Sequence, residues 1–344
     1  MNGLSRPLLS RVADALYWMG RYMERAESVA RFIGVNLSLQ LDLPLDAAQQ
    51  WQALIDTSGD AKVFKERCGT ASQYNVIEFL AYDTDNPNSI YSCLKCVREN
   101  ARSVRETISS EMWEQVNSMY LQLQPQHKVA QPEWLAEVFQ GIRLGAHLFQ
   151  GITDATMSHN EAWHFVRLGR KLERADKTSR ILDVKYFMLL PSARDVGSPY
   201  DDIQWSAVLR SVSAFEMYRK KYGRIWPRNI VEFLVLDRDF PRSVHYCIRS
   251  ADESLHAITG VPLGSYKYPS EQSMGMLRSE LDFASVDSII RCGLHEYVDS
   301  LQVKMNKIDT SISEDFVVRV PQEQTQAQEQ RPGIQVQVQA GSSR

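Results

Sequence analysis

Two stretches of this chain carry the same chemistry. Gly20-Arg21-Tyr22-Met23-Glu24-Arg25-Ala26-Glu27 returns 149 residues later as Gly169-Arg170-Lys171-Leu172-Glu173-Arg174-Ala175-Asp176, and the match extends to Arg31 with Arg180 and to Val35 with Val184. Tyr17, Gly20, Glu24, Arg31 and Val35 fall on one stripe of a helix, as do Val166, Gly169, Glu173, Arg180 and Val184. Apolar residues bracket each Glu, so the carboxylate is expected to be half-buried. A glycine one turn earlier lets another helix or a ligand approach closely.

Three chemistries fit. Glu24 with Arg31 and Glu173 with Arg180 could form ion pairs that fix how two long helices cross. The two helices could instead meet across a pseudo-twofold and build a polar pocket, one Glu acting as base and Arg clamping a carboxylate. Glu24, Glu27, Glu173 and Asp176 could also offer four carboxylates to two metals. The helical di-metal pattern wants His three residues after Glu, and those positions hold Glu27 and Asp176. The expectation is therefore no metal and no cofactor.

A second cluster is Arg98, Glu99, Asn100, Arg102, Arg105 and Glu106. Arg98, Arg102 and Arg105 share a stripe beside the apolar face of Val97, Ala101, Val104 and Ile108. Three Arg at a core edge either pair with acids, Glu24 and Glu173 being natural candidates, or bind an anion. Other signals are weak. Cys93-Leu94-Lys95-Cys96 lacks the further ligands of a zinc site and the context of a redox motif. No phosphate-binding glycine loop and no nucleophile elbow occurs.

The elements that must position these residues read as helices. Periodicity of three and four predicts a helix from Arg11 to about Leu41, a second from Pro44 to Gly59, and a long one from Ile90 to about Leu123 capped by Asn88 or Ser89. Further helices are expected over Pro132 to about Gly151, His159 to about Leu190 behind a Ser158/Glu161 capping box, and about 203–222, 228–236, 242–258 and 272–307. The fold class is all-α, a multi-helix bundle with a duplicated Glu-Arg helix over residues 1–318. Residues 319–344 are Gln-rich without aromatics and read as a disordered tail.

Composition sets outer bounds. The chain has 344 residues, 44% hydrophobic and 24% charged, which can bury a sizeable core. A net charge of −3 gives no basic excess for nucleic acid. Five cysteines do not make a disulfide framework, no apolar run is long enough to span a membrane, and no secretory signal is evident, so a reducing cytoplasm is expected.

Four motifs in order resemble the bacterial alpha-E domain family. They are Leu9-Ser10-Arg11-Val12-Ala13 with Tyr17-Trp18-Met19-Gly20-Arg21-Tyr22 and Glu24-Arg25-Ala26-Glu27; Arg98-Glu99-Asn100-Ala101-Arg102-Ser103-Val104-Arg105-Glu106; Leu168-Gly169-Arg170 with Leu172-Glu173-Arg174-Ala175-Asp176; and Phe233-Leu234-Val235-Leu236-Asp237 with Phe240-Pro241-Arg242-Ser243-Val244. The resemblance covers roughly residues 9–310. It implies an all-helical protein working beside a circularly permuted ATP-grasp protein and a transglutaminase-like protein, in a system that makes or modifies peptides through amide bonds. It assigns no reaction to this domain. The chain is thus expected to be a helical partner of an amide ligase, with an enzyme in its own right or a plain scaffold, even a homo-oligomer, as the alternatives. A partner should expose an apolar patch; an enzyme should hold a Glu of raised pKa in a cavity.

Overall fold

The computed structural model describes residues 8–42, 47–123, 132–187 and 198–318. The expected tail, the expected helix start at Pro44 and the expected helix end at about Leu190 lie outside these residues. Among the described residues the chain is helical throughout, with no strand. No helix in this set is long and apolar enough to cross a membrane.

Two long helices form the centre, α1 (Ser10–Asp42) and α8 (Glu161–Phe187). Between them come α2 (Ala47–Ser58), α3 (Ala61–Cys68), α4 (Gln73–Ile77) with a π-helical turn Glu78–Tyr82, α5 (Ile90–Ser103), α6 (Ser110–Gln122) and α7 (Pro132–Thr156). After α8 come α9 (Pro199–Ser211), α10 (Phe215–Tyr222), α11 (Pro227–Leu236), α12 (Val244–Thr259), α13 (Pro269–Phe283), α14 (Val286–Cys292) and α15 (Leu294–Ser313). The packing repeats. α1 lies against α5 and α7, and α8 lies against α12 and α15. α6 closes the first set by packing on α5 and α7, and α13 closes the second on α12 and α15. One continuous apolar core runs through both sets.

The crossing of α1 over α8 explains the duplicated glycines. A Cβ on Gly20 would stand closer than 3.0 Å to the Val166 carbonyl oxygen, and one on Gly169 closer than 3.0 Å to the Tyr17 carbonyl oxygen. Tyr17 and Val166 are themselves equivalent under the repeat. Each glycine therefore admits the backbone of the other helix at the same height, which only a residue without a side chain permits.

Several expected helices are broken by local caps that periodicity does not register. The expected helix to Leu123 stops at Ser103, and Ser109 restarts it by accepting from the Met112 amide. The 203–222 helix is interrupted at Ser213, and the 272–307 helix at the Ser285 cap and at Gly293, whose φ is 98°. Asn160, not Ser158, caps α8, its side chain accepting from the Ala162 amide.

Candidate functional site

The duplicated carboxylates meet at the α1–α8 crossing, and they pair across it. Glu24 receives Arg174 through two hydrogen bonds of 2.6 Å. Glu173 receives Arg25 in the same way, at 2.7 and 3.0 Å. Since Glu24 corresponds to Glu173 and Arg25 to Arg174, the two bidentate pairs are copies of one interaction. Each planar guanidinium matches a carboxylate edge to edge, the strongest arrangement such a pair has. Both Glu side chains are buried, Glu173 completely.

The remaining positions of the motif complete two clusters. Around Glu173, Arg21 donates to its Oε2 at 2.6 Å and to Asp309 of α15 at 2.7 Å, while Lys177 lies 3.5 Å from Oε1 and 3.3 Å from Asp176. Arg25 also donates to Asn88 at 2.8 Å, just before α5. Around Glu24, Arg242 reaches in from the start of α12, 3.2 Å from Glu24 and 3.0 Å from Glu27. Arg170, the counterpart of Arg21, lies 3.9 Å from Asp154 of α7, and its Nε has no partner.

Arg31 and Arg180 do not pair with Glu24 and Glu173 as their stripe suggested. Arg31 binds Glu27, and Arg180 binds Asp176 at 2.9 Å. The reason is reach. A separation of seven residues is about 10 Å along the axis, whereas residues four apart are neighbours. The expected half-burial of the Glu is likewise corrected to full burial.

Electrostatics follow from this packing. Burial alone would raise the carboxyl pKa of Glu173, but Arg25, Arg21 and Lys177 outweigh it and hold it well below 4.5. Burial opposes, and Arg174 and Arg242 lower, that of Glu24; Arg242 and Arg31 bring Glu27 to about 2 against the same burial. Asp176 is lowered as well, Lys177 and Arg180 overcoming its burial. A general base poised near neutral pH needs the opposite shift. These carboxylates are clamped as anions by the guanidiniums around them. Among the described residues no group of three or more His, Cys, Asp or Glu side chains is arranged to hold a metal.

The second cluster lies elsewhere. Arg98 donates to Asn117 at 2.7 Å and covers the Tyr120 ring, Arg102 pairs with Glu99 at 2.6 Å, and Arg105 covers Trp113. Arg102, Arg105 and Glu106 are exposed, and Glu99 and Asn100 are half-buried. None touches Glu24 or Glu173, whose oxygens are already occupied by nearer guanidiniums. Arg98 and Arg105 instead fasten α6 to the end of α5. Cys93, beside Arg25, is a buried thiol whose pKa burial pushes up to about 12, which makes it a poor nucleophile.

Lys177, Asp154 and Asp309 escaped the reading of the sequence, which marks Asn88 only as a helix cap and Arg242 only as one charge of a connection between two helices that could line a site or simply join them. A signal for the place of Asn88 and Arg242 exists. Phe79-Leu80, Asp83, Asp85, Pro87, Ser89 and Cys93 return 154 residues later as Phe233-Leu234, Asp237, Asp239, Pro241, Ser243 and Cys247. The local structure is the same in both. The Asp83 side chain accepts from the Asp85 amide at 2.8 Å and Asp237 from the Asp239 amide at 2.9 Å, and Ser89 and Ser243 cap the helices that follow. Aligning these loops places Asn88 opposite Arg242, each beside a Glu-Arg pair.

The sequence profile of Alpha-E, described as a predicted alpha-helical domain with a conserved ER motif, matches residues 8–317. The chain belongs to the Alpha-E family. Its Glu24-Arg25 and Glu173-Arg174 pairs are two copies of such a Glu-Arg dipeptide. Three uncharacterised mycobacterial proteins, one from Mycobacterium bovis and two from strains of Mycobacterium tuberculosis, are each similar to it at 23% identity over 325 residues. The alignments cover 87% of this chain but only 36% of each relative, so this Alpha-E chain spans about a third of their length. No solved structure matches it.

Proposed function

We propose that this chain is the helical partner of an ATP-grasp ligase in a bacterial system that forms or modifies peptides, alongside a transglutaminase-like protein. The duplicated Glu-Arg motif, on this reading, is the clamp that holds the domain together rather than its reactive centre. The observation that carries the partner role is a groove of about 530 Å³ beside α13, edged by Leu263, Tyr266 and Met276, all more than half exposed. Phe283, at the end of the same helix, is 88% exposed. Large apolar side chains gathered on one surface mark an interaction site.

The groove's chemistry narrows the occupant. Asp252, Glu271 and Asp282 line it, against Arg278 and His256. Asp252 binds Arg278 at 2.8 Å, and Glu271 accepts from the Lys267 and Tyr268 amides through Oε2 while its buried Oε1 has no partner. A partner segment presenting apolar residues and a hydrogen-bond donor or cation complements this surface. That the family sequence also occurs as about a third of longer chains fits a module that works with other domains.

The test is co-expression with a circularly permuted ATP-grasp protein from the same organism. Met276→Asp and Phe283→Asp should abolish co-purification and lower ligase turnover while leaving the melting temperature near that of the parent. Co-purification that survives both substitutions would remove the groove from the account. A parent chain that never co-purifies would remove the partnership.

A further inference from the structure

A second cavity has the opposite chemistry and no part in the partner groove, and it shares only Arg31 with the clamp. It measures about 470 Å³ and lies between the C-terminal half of α1, α7 and α9. Arg31, Arg143 and Arg210 line it, with Glu216 as the one acid in its wall. Arg31 is anchored through Nη2 by Glu27, and its buried Nε has no partner. Arg143 is half-buried and Arg210 exposed. Neither has a carboxylate partner among the described residues; Arg210 only covers the Phe215 ring, 4.9 Å from its centroid.

Arg31 is already paired with Glu27, which leaves Arg143 and Arg210 as two guanidiniums without a carboxylate partner at one space, where an anion can be held by charged hydrogen bonds. The walls add hydroxyls from Ser38, Ser206 and Ser213 and an apolar side of Val35, Leu39, Phe139 and Ile203. The backbone supplies an independent sign. Ser213 is, among the described residues, the one non-glycine with positive φ, 52°. It ends α9 in the position where a helix ordinarily uses glycine, the Ala214 amide reaching back to the Leu209 carbonyl at 2.8 Å. Strained residues that persist without glycine cluster at binding sites.

We propose that this cavity binds a small ligand with an anionic headgroup, a carboxylate or a phosphate, and an apolar flank, Arg143 and Arg210 holding the headgroup. The apolar side receives the flank, and the serines fix orientation.

Calorimetry on the full chain tests this with three probes: N-acetyl-leucine, its amide, and hexyl phosphate. N-acetyl-leucine, hexyl phosphate or both should bind, the responding probe naming the headgroup, and the amide should not. Arg143→Met and Arg210→Met should each weaken binding about tenfold or more, the loss expected for a charged hydrogen bond. Arg102→Met, the same charge change on a distant surface, should leave it unchanged. If Arg143→Met fails to fold, Arg210→Met, exposed and unpaired, decides the point. Absence of binding by both anions, equal binding of the amide, or affinity untouched by the arginine variants would overturn the proposal.

Discussion

The two carboxylate clusters descend from one pattern and solve one problem with different parts. Each gathers three carboxylates and four cations: Glu173, Asp176 and Asp309 with Arg21, Arg25, Lys177 and Arg180, and Glu24, Glu27 and Asp154 with Arg170, Arg174, Arg242 and Arg31. The carrier of one cation differs. In the Glu173 cluster Lys177 supplies it from α8 itself, and the loop contributes neutral Asn88. In the Glu24 cluster the helix position equivalent to Lys177 holds Ser28, and the loop contributes Arg242.

The clusters also differ at the outer arginine. Arg21 bonds both Glu173 and Asp309, whereas its counterpart Arg170 is left with only a distant Asp154. Burial, helped by Arg174, then lowers the pKa of Arg170 to about 10. The comparison teaches that the balance of buried charge is what the fold maintains, since an unpaired buried charge is expensive, whereas the element that delivers the charge is free to change.

The largest expected effect comes from removing an acid. Glu173→Ala leaves Arg25 without a carboxylate and Arg21 and Lys177 with only Asp309 and Asp176, and should cost about 3–5 kcal/mol, or prevent folding. Glu24→Ala should cost less, because Glu27 still receives Arg242. Chemical denaturation of both variants gives the order, and equal losses would contradict the asymmetry.

The glycines should behave oppositely to the acids, as equals. Gly20→Ala and Gly169→Ala each drive a methyl into the facing backbone and should each cost about 1–3 kcal/mol or more. A harmless substitution at either would mean that the helices do not cross in contact there.

The exchanged cation can be moved by design. Arg242→Asn should destabilise the Glu24 cluster, and adding Ser28→Lys should recover about 1 kcal/mol by copying the Glu173 arrangement. Thermal unfolding of the double variant below that of Arg242→Asn alone would show that charge balance is not the constraint.

A smaller effect belongs to Lys171, buried against the Tyr246 ring among Arg167, Arg170 and Arg174. Burial, opposed by Cys247 and helped by these arginines, brings its pKa from 10.5 to about 8. The unfolded chain therefore binds more protons between those values, so stability should rise as pH goes from about 8 to about 10.5. Lys171→Met should remove that slope and, at neutral pH, gain on the order of 1 kcal/mol. A slope that survives the substitution would assign it to another group.

Much of this was legible in the residues. The repeat of Gly20 to Glu27 in Gly169 to Asp176 identified both central helices and their closeness, because helical periodicity and a tolerated mid-helix glycine are local signals. The partner of each Glu was not. A stripe drawn on one helix puts Glu24 beside Arg31, but pairing is decided by which helix crosses at the glycine, and that is a property of two helices together. The breaks at Ser109, Ser213 and Ser285 were hidden for a related reason. Their flanking residues keep helical spacing of apolar groups, and only the cap hydrogen bonds stop the helix. The Arg98–Arg105 stripe misled because a core-edge position does not say which neighbour it faces. Nothing in the spacing located the 470 Å³ cavity, whose three arginines come from α1, α7 and α9.

The most direct test of the clamp is a pair of double-mutant cycles on stability. One combines Glu24→Gln with Arg174→Met, the other Glu24→Gln with Arg31→Met. Crosswise pairing requires a coupling of about 2 kcal/mol or more between Glu24 and Arg174, and less than about 0.5 kcal/mol between Glu24 and Arg31. The reverse order, with Glu24 coupled to Arg31 and indifferent to Arg174, would mean that each helix balances its own charges and that the two halves are not held together by this motif.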